Sequence, residues 1–133
     1  MTDFTATQPD GVHDALGIEV VSASAEEVVV RVPVTAKVRQ PYGILHGGVS
    51  ALIAESAASI GGAIAAGPER IIVGTELNCS HLRSVREGVI TATARPIRVG
   101  RTVHVWGIDI TDSDNKLICI ARCSLAVLAT PTA

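Results

Sequence analysis

The rhythm of apolar and polar positions changes along this chain. Between residues 18 and 34, "IEVVSASAEEVVVRVPV" sets two β-branched runs around the polar "SASAEE", a pattern that predicts a hairpin. Residues 48–66 are nearly all apolar or small. Leu52, Ser56, Ser59 and Ala63 recur there at helical spacing and alanine supplies the propensity, so one long helix is expected, ended by "GPE" at 67–69. Runs rich in Val, Ile and Thr follow at 71–82, 88–98, 102–112 and 117–128, with breaks at "VREG", "VGR" and "SDNK". They predict four strands in an antiparallel meander. Pro9 and Gly17 bracket a short helix, and Pro41 and Gly43 mark a loop within 35–45. Residues 1–8 read as a flexible tail, ahead of a single domain over 9–129.

This element order implies an α+β domain in which an antiparallel sheet of five to six strands wraps around one long central helix. Ala51, Ala54, Ala57, Ala58, Gly61 and Gly62 let something approach that helix closely. Either the curling sheet or a helix from a second subunit can use the space. At 133 residues, 47% hydrophobic and 18% charged, the chain has the makings of one core and not of a disordered segment. A net charge of −2 gives no reason to expect a nucleic-acid partner. Residues 47–67 have the length of a membrane span, but five glycines, three serines and Glu55 dilute them, so no membrane association is expected. No signal-peptide pattern opens the chain. Cys79, Cys119 and Cys123 lack CxxC spacing, and on one strand Cys119 and Cys123 stand about 13 Å apart, too far to bridge. They read as small core residues in a reducing cytoplasm. His13 and His104 have no partner at metal-ligand spacing, so neither metal nor other cofactor is expected.

Glu55 is the only ionisable side chain between positions 47 and 67. Burying a lone carboxylate is costly. It therefore either faces water or works as a general base or nucleophile toward an acyl carbon. A helix starting near Gly47 presents amides without intrahelical acceptors, at an end of positive dipole character, able to polarise a carbonyl. His46 precedes that start, where it orients the turn or meets substrate. Ser59, four residues after Glu55, holds a water or the carboxylate, or else bonds its own helix backbone. Gly47 and Glu55 are separated by about 12 Å of helix axis, more than one carbonyl can bridge. Two such helices packed antiparallel about a two-fold axis remove that obstacle and imply a homodimer with two composite sites.

"QPYGILHGGVSALIAESAAS", "LNCSHLRSVREGVITATARPIRVGRT" and "VWGIDITDSDNKLICIARCSLAVL" together resemble the hotdog-fold thioesterases of the PaaI-like type. The likeness is strongest to the branch of 4-hydroxybenzoyl-CoA and 1,4-dihydroxy-2-naphthoyl-CoA thioesterases. It runs from about residue 12 to 128. The resemblance implies hydrolysis of an aromatic, hydroxyaryl acyl-CoA, with coenzyme A entering as part of the substrate. It places the catalytic acid on Glu55, the carbonyl-polarising amide on Gly47, a glutamine assisting at the thioester on Gln40, a water-positioning hydroxyl on Ser59 and the motif histidine on His46. It also implies that acid and amide come from different subunits and that dimers commonly pair into tetramers. Leu82 and Ser84 replace a histidine and a proline of the family segment near the pocket. Five of the eleven Lys and Arg residues fall within positions 83–101, against one acid, Glu87. Such asymmetry suits a phosphate-rich ligand, or a solvated sheet face with edge-protecting arginines. By resemblance, His81, Arg83 and the turn of Gly100, Arg101 and Thr102 belong to the CoA side. An acyl-carrier-protein thioester as substrate, or a non-catalytic acyl-CoA-binding protein of the same fold, are the alternative readings.

Overall fold

The computed structural model describes residues 2–131. Two α-helices and six strands follow one another in the described residues: α1 (Val12–Leu16), β1 (Glu19–Ala23), β2 (Val28–Pro33), α2 (Gly47–Ala66), β3 (Arg70–His81), β4 (Val89–Val99), β5 (Val103–Thr111) and β6 (Leu117–Ala129), with a 3-10 turn at Ala36–Val38. The strands form one antiparallel sheet in the order β1-β2-β4-β5-β6-β3. Alternate residues point inward, as the period of a strand requires. Val28, Val30 and Val32 of β2, Ile90, Ala92 and Ala94 of β4, and Trp106, Ile108 and Ile110 of β5 are all buried.

Against them lies one stripe of α2, formed by Val49, Ile53, Ala54, Ala57 and Ala58. Burial of a side chain such as Ile53 stabilises the fold by roughly 2–3 kcal/mol. α2 is long and apolar enough to cross a membrane by length and composition, yet this stripe makes it the core helix of the domain. The curling sheet takes the small residues. A Cβ on Gly61 would stand 2.4 Å from the Trp106 ring, and one on Gly62 2.6 Å from a Leu125 methyl. Only Ala51 of that set lines the opposite, open face.

The hairpin, the long helix and the four later strands form where the pattern places them, but the four strands are not a simple meander. β3 pairs with β6 at the far edge and never with β4, which sits between β2 and β5. Alternation reports the two faces of a strand and carries no information about its neighbour. α2 carries the chain across the concave face to that far edge, and residues 82–88 return it along the end of the sheet to β4. β3 is a twelve-residue edge strand with Ile71 and Val73 exposed. The three thiols are free. Burial, followed by the neighbouring Cys79, pushes Cys119 up to about 12. Burial and then the charge of Glu55 push Cys123 up to about 11.

Candidate active site

The returning segment 82–88 closes against the start of α2 and forms a cavity of about 370 Å³, lined by Gln40, Gly47, Ser50, His81, Arg83 and their neighbours. Its floor is fastened by backbone bonds from Leu45 to Val85 and from His46 to Val38. His46 is the N-cap of α2, and its Nδ1 accepts the Gly48 amide at 2.8 Å. The Val49 amide donates to the His46 carbonyl. The Gly47 amide has no acceptor among the described residues, so one donor at the positive end of the helix remains free. The His81 ring lies against it, 3.1 Å from where a Gly47 Cβ would be. Gln40 Oε1 accepts the Tyr42 amide, which leaves the two Gln40 N–H donors for the cavity.

Glu55 is elsewhere. It stands on the exposed face of α2, opposite the core stripe. With Ser59, Ser56, Leu52, Leu77 and Val12 it lines an open groove of about 410 Å³. Its carboxylate lies over Gly74 of β3, where a Cβ would come within 3.1 Å of the Glu55 carboxyl carbon. The ladder to β6 shifts register at this point, between Gly74 and Glu76.

One chain thus holds two separate clusters of candidate residues. The structure brings Gln40, Gly47, His81 and Arg83 together in the first and Glu55 with Ser59 in the second; His46 caps the helix and lines neither. The turn of Gly100, Arg101 and Thr102 joins neither half. It follows β4 at the end of the sheet where Val103 pairs with Ala126, whereas His81 pairs with Cys119 at the other end. Among the arginines of the basic stretch, Arg95 is paired with Glu27 at 2.7 Å and Arg86 reaches the Tyr42 carbonyl. Tyr42 itself is exposed. Two participants escaped the sequence reading. Ser50 is buried and lines the first cavity; its position three residues after Gly47 was the available signal. His13 reaches Ser56 at 2.9 Å, a contact between residues 43 apart that no local pattern announces.

Comparison with known proteins agrees with this fold. The family model of the thioesterase superfamily matches residues 42–119. A 1,4-dihydroxy-2-naphthoyl-CoA hydrolase of Listeria monocytogenes is 50% identical over 117 residues, covering 88% of this chain and 95% of its own length. An Escherichia coli hydrolase of the same name is 40% identical over 96 residues, 72% of this chain and 71% of its own. Among solved structures, a mutant thioesterase of Pseudomonas aeruginosa superposes with a TM-score of 0.91 at 38% identity, covering 96% of this chain and 92% of its own.

Proposed function

The chain belongs to the thioesterase superfamily, and from that premise we propose that it hydrolyses aromatic, hydroxyaryl acyl-CoA thioesters to the free acid and CoA. The carrying observation is the separation of a free helix-end amide and an exposed carboxylate into two half-sites of one chain. They meet when two copies pair antiparallel through the open edge of β3. A β3 pair centred at Leu77 and Asn78 sets Gly74, under Glu55, opposite His81 of the partner subunit, beside that subunit's helix start.

In this arrangement the Gly47 amide binds the thioester carbonyl oxygen, and Gln40 steadies the thioester from the same side. Glu55 from the other subunit acts as base toward water or as nucleophile toward the acyl carbon, with Ser59 holding the water. The C–S bond breaks and the thiol leaves as CoA. Donors placed where an oxyanion develops each contribute roughly 3–4 kcal/mol. His81 and Arg83 continue the cavity toward the CoA moiety. The same antiparallel pairing turns the Gly100–Thr102 end of one chain toward the helix-start end of the other, which supports a contact between that turn and the CoA phosphates across subunits. Ile97, Val99, Val103 and Leu128 expose an apolar patch on the strands, a surface suited to joining two dimers. Three free thiols suit a reducing cytoplasm.

Thiol release from benzoyl, hydroxybenzoyl, dihydroxynaphthoyl and aliphatic CoA esters tests the reading. Hydroxyaryl esters should be turned over fastest, and Glu55→Ala should lower that turnover at least a hundredfold while leaving a folded dimer. Equal turnover by the variant would remove Glu55 from the chemistry.

A further inference from the structure

α1 is five residues long, and none of its residues is buried. A hydrogen bond between His13 Nε2 and Ser56 Oγ, 2.9 Å, ties it to α2. Ser56 follows Glu55 directly and lines the same groove, between Val12 of α1 and Leu77 of β3. The groove walls are otherwise apolar or small: Val12, Leu52, Leu77, Ala51 and Gly48. Such a slot accepts a flat ring, and Ser56 is its polar group apart from the catalytic pair of Glu55 and Ser59.

We propose that Ser56, held by His13, is the subsite that recognises a hydroxyl substituent on the acyl ring, with His13 as its positioning residue. This rests on the thioesterase reading above and adds the element that discriminates among acyl groups. Either imidazole tautomer serves. If Nε2 carries the proton, it donates to Ser56 Oγ and the serine proton turns to the groove. If Nε2 is bare, Ser56 donates to it and offers its lone pairs to the groove. A phenolic hydroxyl is both donor and acceptor, so it satisfies each case; an unsubstituted ring satisfies neither. Partial burial holds His13 below the ordinary histidine pKa, which keeps the ring neutral near pH 7 and both tautomers available. A site built to bond a substrate hydroxyl discriminates against the analogue that lacks it, because its own polar group is then left unpaired.

The test compares kcat/KM for hydroxybenzoyl-CoA and benzoyl-CoA in the full-length protein. The wild type should favour the hydroxylated ester. His13→Ala should lower that preference about tenfold, through KM of the hydroxylated ester and not through kcat, and His13→Gln, which retains a hydrogen-bonding tip, should restore most of it. Ser56→Ala should lower the preference at least as far as His13→Ala does. A fall in kcat of the same size on both esters, or no rescue by glutamine, would make His13 a fastener of α1 only and overturn the subsite. Wild-type protein releasing thiol from neither ester would instead overturn the thioesterase reading itself, a result that the variants alone cannot produce.

Discussion

In the proposed mechanism Gly47 is the position where a single atom matters most. As the first helical residue it needs no intrahelical partner for its N–H, and His46 before it is extended at φ −70 and ψ 126. That is the backbone a residue preceding proline adopts, and proline is well tolerated at a first helical position. Gly47→Pro therefore deletes the donor with little cost to folding. We expect kcat to fall about a hundredfold or more, with thermal stability close to wild type. Gly47→Ala is the control: it keeps the N–H but adds a methyl 3.1 Å from the His81 ring. If proline and alanine reduce kcat equally, displacement of His81 and not loss of the amide is responsible.

On the scale of an element, α2 faces two environments that share a helix and little else. Its core stripe was not legible as a distinct face, because apolar and small residues run all round it; the one charge, Glu55, was what marked the open side. The helix bounds, the hairpin and the glutamate could be read from pattern. The neighbour of β3 could not, since pairing partners are chosen by the path of the chain through space. His104 illustrates the same limit: nothing in "TVHVW" says that it will lie under the second half of α2, 3.4 Å from where a Gly62 Cβ would be, with Nδ1 buried and unpaired. Burial holds its pKa below the ordinary histidine value. The folded chain thus prefers neutral His104 while the unfolded chain binds a proton more readily. The stabilisation is complete above the unfolded pKa and is lost as pH falls from there through the lower, folded pKa. His13 is shifted in the same direction and contributes with the same sign. The unfolding free energy measured by urea titration should drop between pH 7.5 and about 5.5, by no more than about 1.4 kcal/mol per pH unit for each histidine. In His104→Leu the slope should be shallower, and an unaltered slope would assign the effect to other groups.

At the scale of the whole molecule, the open β3 edge and the two separate clusters lead us to expect that activity belongs to pairs of chains. A long edge strand with exposed apolar residues is a surface that seeks a partner. Size measurement should find multiples of the 13.7 kDa chain, four if the outer apolar patch joins dimers, and dilution below the pairing constant should remove turnover along with the dimer. Glu55→Ala and Gly47→Pro chains, each nearly inactive, should recover together after mixing under exchange. Random pairing gives about a quarter of wild-type turnover, since a sound pocket needs the amide from the first variant and the acid from the second. No recovery, with exchange verified by mass, would place acid and amide within one chain.

In the proposed dimer, the division of labour across β3 would also govern how damage spreads. A chain lacking only its acid spoils the one pocket to which it would have contributed that acid, and still lends a working amide to its mate. In a mixed population, output therefore declines in simple proportion to the share of such chains. A chain lacking both groups ruins both pockets of any dimer it enters, and output falls as the square of the sound fraction.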